Sequence, residues 1–235
     1  MPIEDLEVAW TPPAGGRLNW ADYSVDRWAR EGRGQARAVW WEGDDGASLT
    51  LTYGQLKDRV DAAAGALPGR GLGVGDVVAL LLPMVPEAIT TVLAAAKIGA
   101  VVIPLFSGYG PHAVRERLVD SGARALVTCD AFPRRGRPVA LKDVADEAAD
   151  GLSALTSILV VHRLGTDVTM RAGRLWWDEE CARAEPVRDA VPMDSDAPCL
   201  LLYTSGCTGK PKRRSRSPWR PGTDPAWMRR PRSCG

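Results

Sequence analysis

The clearest periodicity lies at 53–67, where Leu56, Val60, Ala63, Ala64 and Leu67 recur at three- and four-residue steps. Lys57, Asp58, Arg59 and Asp61 fall between them, on the face predicted to meet water. The spacing predicts an amphipathic helix stopped at Pro68-Gly69. The run 77–82 is too continuously apolar for an edge strand and predicts one covered on both faces, as in a parallel sheet. A helix over 86–97 follows, opened by Pro86-Glu87 and ended by Gly99, and then a second buried strand over 100–105. The pattern repeats with a helix from Gly110-Pro111 carrying Val114, Leu118 and Val119, a stop at Gly122, and a strand over 125–128. Further strands are predicted over 155–162 and 200–203, separated by a polar, turn-rich stretch at 165–173 and a short acidic stretch led by Trp176-Trp177. Upstream, Ser24 is placed to cap a helix whose Val25 and Trp28 share a face. Two runs, 38–42 and 49–52, flank the turn Gly43-Asp44-Asp45-Gly46 as a β-hairpin. Alternation of strand and helix at this spacing is βαβ architecture, and the expected fold is a three-layer α/β sheet-and-helix arrangement.

Composition changes this picture little. Hydrophobic residues at 45% and charged residues at 25% are ordinary for a globular chain of 235 residues, so disorder is not the expectation for most of it. The net charge of +1 conceals an uneven distribution: 213–235 holds seven arginines and a single acid, Asp224, which leaves the body mildly acidic. An acidic body argues against a nucleic-acid-binding domain. The chain contains no apolar stretch of membrane-spanning length, and Glu4, Asp5 and Glu7 do not lead into a signal-type apolar core, so a cytoplasmic location and no membrane partner are expected. Cys129, Cys181, Cys199, Cys207 and Cys234 form no paired motif, and with only His112 and His162 beside them neither a metal site nor a hydrolytic triad is expected.

Chemistry concentrates in Leu202-Tyr203-Thr204-Ser205-Gly206-Cys207-Thr208-Gly209-Lys210-Pro211-Lys212. It begins at the end of an apolar strand, where open α/β sheets place ligands. Gly206 and Gly209 allow a tight turn that exposes consecutive N–H groups as an anion nest; Thr204, Ser205 and Thr208 add hydroxyl donors, and Lys210 and Lys212 add positive charge. A Walker A loop is absent, as is a GxGxxG after any predicted strand, which sets aside a dinucleotide oxidoreductase.

This string closely resembles the YTSGSTGKPK signature of the adenylate-forming (AMP-binding) superfamily. The wider sequence is most similar to acetyl-CoA synthetases and related short- and medium-chain acyl-CoA synthetases. Supporting segments are Trp40-Trp41-Glu42-Gly43, Leu51-Thr52-Tyr53-Gly54-Gln55-Leu56, Gly73-Val74-Gly75-Asp76, Pro83-Met84-Val85-Pro86-Glu87-Ala88, Lys97-Ile98-Gly99-Ala100, Asp120-Ser121-Gly122-Ala123 and Arg174-Leu175-Trp176-Trp177-Asp178. They run in the family's order from about Asn19 to Lys212 and specify the family far better than the acyl substrate. The resemblance implies a two-step acid–CoA ligase reaction: ATP and a carboxylate, with Mg2+, give an acyl-adenylate and pyrophosphate, and coenzyme A then takes the acyl group. It assigns ATP phosphate binding to Thr204, Ser205, Gly206, Cys207, Thr208, Gly209 and Lys210. Cys207 stands where the family has serine or threonine, and a thiol is the weaker donor. The segment 130–138 is similar to a Gly-Gly-Tyr-Arg-Gly-Gly-Lys segment whose arginine lies near the nucleotide end of coenzyme A, which assigns CoA binding to Arg134; without the resemblance, Arg134, Arg135 and Arg137 read as a solvated basic loop. Phe106-Ser107-Gly108-Tyr109-Gly110 resembles a family turn that either borders coenzyme A or supports packing. No catalytic residue is assigned.

The resemblance stops within one residue of Lys212. The family continues with a glycine, a hydrophobic residue, a histidine and more than half of the enzyme, whereas this chain continues Arg213-Arg214-Ser215-Arg216-Ser217-Pro218. The expected organisation is an irregular arm over 1–18, part of a synthetase amino-terminal domain over 19–212, and a basic, disordered tail over 213–235 that leaves a sheet edge exposed. The functional expectation is an incomplete, inactive acyl-CoA synthetase; the alternative is a non-enzymatic nucleotide- or CoA-binding remnant or pseudogene product.

Overall fold

The computed structural model describes residues 16–204 and 212–216. The first described strand, β1 (Arg17–Leu18), pairs antiparallel with a distant two-residue strand at Met193–Asp194, so residues 17 and 18 of the expected irregular arm are held in a ladder. Residues 20–33 then coil helically, with wide π-type turns at Asp22–Asp26 and Ala29–Arg33. Ser24 lies inside this coil and does not cap it. The buried Asn19 holds the start instead: its Oδ1 accepts the Ala21 N–H at 2.9 Å, and its amide donates to the Ala96 and Val191 carbonyls.

Strands β2 (Arg37–Glu42) and β3 (Ser48–Thr52) form the predicted hairpin. Helix α1 (Tyr53–Ala66) starts at a capping box: the Gln55 N–H donates to Thr52 Oγ1, and the Thr52 N–H donates to Gln55 Oε1. Next come β4 (Val77–Leu80), α2 (Pro86–Lys97), β5 (Val101–Pro104), α3 (Pro111–Ser121) and β6 (Ala125–Cys129), all close to the predicted spans. Val119 departs from expectation: Val114 and Leu118 are buried, whereas Val119 faces solvent. The basic loop is a small hairpin, β7 (Phe132–Arg134) and β8 (Arg137–Val139), followed by an unpredicted helix, α4 (Leu141–Ala149). Then follow β9 (Ser157–Val161), the unpredicted β10 (Arg174–Trp176) and α5 (Trp177–Arg183), β11 (Met193–Asp194) and β12 (Leu200–Thr204).

A last strand, β13 (Lys212–Arg216), pairs antiparallel with β12 along its whole length. Residues 213–216, expected as the start of a disordered tail, lie in this strand, and β13 takes the edge position of the sheet beside β12. Sheet pairing uses backbone N–H and C=O groups, so a strand at an edge needs no apolar periodicity of its own.

The main sheet has the order β10-β9-β6-β4-β5-β12-β13, parallel except at β13. Helix α1 packs on both α2 and α5, and α3 packs on α4, which gives the sheet two helical groups. This is the expected three-layer architecture. Strands β6 and β9 are wholly buried and β4 and β5 are buried at all but one residue each, and a continuous core includes Leu67, Leu81, Ile103, Leu126, Leu141 and Leu159.

One prediction on α1 was wrong. Asp61 is 3% exposed and ion-paired with Lys97, which is 0% exposed and also receives Asp26 at 2.8 Å. Lys57 closes the cluster on Asp61 at 2.5 Å. The turn-forming helix at 22–26, α1 and α2 are therefore joined through one buried ammonium.

Candidate functional site

The chain leaves β4 and moves to β5 on one side, then returns past β4 to β6 on the other. That reversal of strand order opens a crevice at the carboxyl ends of the parallel strands. A cavity of about 300 Å³ lies there. Its walls are the segments that leave the strands: Pro83–Val85 after β4, Phe106 and Ser107 after β5, Phe132–Arg134 after β6, and Arg163 after β9; the β2–β3 hairpin closes it with Trp41 and Glu42. The hairpin is tied in place by the Trp41 indole N–H, which donates to the Met84 carbonyl at 2.6 Å.

Arg134 stands at the end of β7, across the hairpin from Arg137. The two-residue turn between them has positive φ at both positions, 51° for Arg135 and 74° for Gly136, the combination that suits a tight hairpin. Arg134 reaches over the Phe106 ring at 5.6 Å. Gly108 makes room for this contact, because a Cβ there would stand 2.8 Å from Arg134 Nη1 and 2.4 Å from the Phe106 ring. The two segments singled out separately in the sequence, 106–110 and 130–138, thus meet at one cavity wall. Among the described residues no carboxylate pairs with Arg134, Arg135 or Arg137. Like charges facing each other across a hairpin repel, so this arrangement favours an anion.

A second arginine of the wall had no signal in the sequence. Arg163 donates to Asp45 Oδ2 at 2.8 Å and lies 5.3 Å from the Trp41 ring, which fixes its side chain against the β2–β3 hairpin. Asp130 was passed over as well. It is fully buried, and its carboxylate accepts the N–H groups of Arg163 at 2.9 Å, Leu164 at 3.2 Å and Thr166 at 2.9 Å. Burial pushes its pKa up, but these donors and the Ala131 N–H outweigh burial and hold the carboxyl below its usual range. An acid directly after a strand with a single polar residue, Thr128, was the available clue.

Of the residues to which the resemblance assigns phosphate binding, Thr204 ends β12 and its backbone pairs with Lys212. Ser205, Gly206, Cys207, Thr208, Gly209 and Lys210 lie outside the described residues. Both anchors of that segment are therefore neighbours, at the carboxyl end of a strand parallel to β5. Tyr203, just before it, donates its hydroxyl to Asp120 at 2.5 Å, and the Arg117 guanidinium lies 5.5 Å from its ring. Helix α3 thereby steadies the strand end.

Residues 25–213 match the sequence profile of the AMP-binding enzyme family. The chain belongs to that family. Among similar AMP-binding proteins, the acetyl-coenzyme A synthetase of Rubrobacter xylanophilus is 41% identical over 215 residues, covering 88% of this chain and 33% of that protein. The acetyl-coenzyme A synthetase of Halorhodospira halophila is 44% identical over 200 residues, covering 84% and 31% respectively. The crystal structure of an acyl-CoA synthetase from Brucella canis superposes with a TM-score of 0.72 at 25% identity, covering 92% of this chain and 36% of the other. The chain therefore spans about a third of the length of these AMP-binding relatives. Among the described residues, no helix is long and apolar enough to cross a membrane.

Proposed function

We propose that this chain forms the nucleotide-contacting part of a ligase that joins a short-chain carboxylate to coenzyme A through an acyl-adenylate. The observation that carries this reading is the cavity at the strand-order reversal, walled by Arg134 and Phe106 and lying one strand from the anchors of the Ser/Thr/Gly/Lys segment. Thr204, Ser205, Gly206, Thr208, Gly209 and Lys210 would hold the β- and γ-phosphates of ATP, chiefly through backbone N–H groups and the Lys210 ammonium. Cys207 contributes its backbone more than its thiol. Mg2+ would accompany the nucleotide and neutralise phosphate charge. Arg134 offers a planar fork of donors to a phosphate of coenzyme A, beside the apolar surfaces of Phe106, Phe132 and Met84 for the rest of the nucleotide.

The part in hand binds without turning over. Adenylation needs the carboxylate oxygen aligned on the α-phosphorus, a positional contribution of roughly 7–11 kcal/mol when fully realised, and this chain spans about a third of its relatives. Titration calorimetry of the 235-residue protein tests the binding half, with Mg–ATP and with adenosine 3′,5′-bisphosphate, the nucleotide end of coenzyme A. Lys210→Ala is expected to weaken only the first ligand and Arg134→Gln only the second. Acetate-dependent exchange of labelled pyrophosphate into ATP, above the Lys210→Ala background, would show turnover and overturn the division. Failure of wild-type protein to bind either nucleotide would favour an inert remnant.

A further inference from the structure

We propose that Asp130 is the positioning residue of the cavity's two-arginine wall, setting Arg134 and Arg163 for one anionic nucleotide. The inference rests on the coenzyme A reading above and deepens it. Asp130 is hydrogen-bonded to both arginine-bearing segments of the wall at once. Its N–H donates to the Val161 carbonyl at 3.1 Å, joining the ends of β6 and β9. Its own carbonyl accepts the Lys142 N–H at 3.2 Å, and because Lys142 follows β8, this bond closes the base of the hairpin that carries Arg134. Its carboxylate accepts the N–H groups of Arg163, Leu164 and Thr166, which curls the segment after β9 around one buried charge and directs Arg163 to the same cavity.

The chemistry suits support and not contact. A carboxylate exposed beside Arg134 would neutralise the one guanidinium of the wall that has no carboxylate partner among the described residues, and would weaken an anion site. Asp130 is fully buried and engages backbone donors, so the fold gains the strength of charge-assisted hydrogen bonds, while the Arg163 guanidinium is held by Asp45 instead. An asparagine would present one acceptor and one NH2 group to the same set of donors. At least one N–H would lose its partner, and the segment carrying Arg163 would loosen.

The test uses calorimetry with adenosine 3′,5′-bisphosphate and, separately, Mg–pyrophosphate. Asp130→Asn is expected to weaken the bisphosphate roughly tenfold or more, the effect of losing a hydrogen bond to a charged group, and to leave pyrophosphate unchanged. In an Arg134→Gln background, Asp130→Asn should add much less than it does alone, since the two act through one wall. Equal losses for both ligands, or full additivity with Arg134→Gln, would overturn the proposal while leaving the coenzyme A reading intact. Absence of bisphosphate binding by wild-type protein, or indifference to Arg134→Gln, would sink both. Should Asp130→Asn not fold, hydrogen exchange of wild-type protein decides: slower exchange at the Arg163, Leu164 and Thr166 amides on adding bisphosphate supports the proposal, and unchanged exchange refutes it.

Discussion

Asp26 and Asp130 are both removed from water, at 1% and 0% exposure, yet their environments differ in kind. Asp130 is surrounded by backbone N–H groups that belong to it alone. Asp26 depends on one ammonium, Lys97, which it shares with Asp61. Burial raises the Asp26 pKa above its ordinary 3.8, and the divided attraction of Lys97 does not cancel that rise. At Asp130 the dedicated donors win and the pKa falls below 3.8. Similar loss of exposure thus goes with opposite shifts: Asp26 is the more deeply desolvated and shares its donor, whereas Asp130 has several donors to itself. The first arrangement joins helices far from the cavity; the second shapes the cavity wall.

The largest way to break this contrast is Lys97→Met. It leaves Asp26 and Asp61 buried without their common counter-charge, and a loss of about 3–5 kcal/mol is expected in urea unfolding followed by circular dichroism. Asp130→Asn should cost less, about 1–3 kcal/mol in the same measurement, since it removes a charge and one acceptor but strands no opposite charge. A loss at Asp130 exceeding that at Lys97 would invert the ranking.

Acid titration sharpens the comparison through sign. Asp130 has a lowered folded pKa, so its stabilisation is present above the unfolded value of 3.8 and is lost as pH falls through the folded value. Asp26 has a raised folded pKa, so its contribution is present below 3.8 and is lost as pH rises through the folded value. Asp130→Asn should therefore flatten the decline in stability below about pH 4. Asp26→Asn should remove a decline that begins just above it. Unfolding curves at stepped pH values read both slopes, and the same slope change in the two variants would contradict the assignment. The smallest stability effect is expected at Arg134→Gln, within about 0.5 kcal/mol because the side chain is exposed, even though this variant is expected to weaken bisphosphate binding.

Much of the frame was legible because it is written in local periodicity. Leu56, Val60 and Ala63 mark α1, and the unbroken apolar runs at β4, β5 and β6 mark strands covered on both faces. Shorter and weaker signals were missed. Helix α4 buries Leu141, Ala145, Ala148 and Ala149, a face built mostly of alanine, and β10 has only three residues. Asp61 was assigned to solvent because a charge on an amphipathic helix ordinarily faces water; its partner Lys97 is 36 positions away. The candidate site divided in the same way. Arg134 and the Ser/Thr/Gly/Lys segment were visible as motifs, whereas Arg163 joins Arg134 only because β9 lies beside β6.

The sequence by itself determined the βαβ succession, the family and the chemical character of two segments, one rich in Ser, Thr, Gly and Lys and one rich in Arg, since each depends on residues close together in the chain. The tertiary structure alone decided which charges are buried, which arginines share a wall and which backbone edge Lys212–Arg216 covers. Those outcomes depend on distances between segments dozens of residues apart. Burial and hydrogen bonding are properties of that three-dimensional neighbourhood, and a residue's type sets only what it can offer once it arrives there.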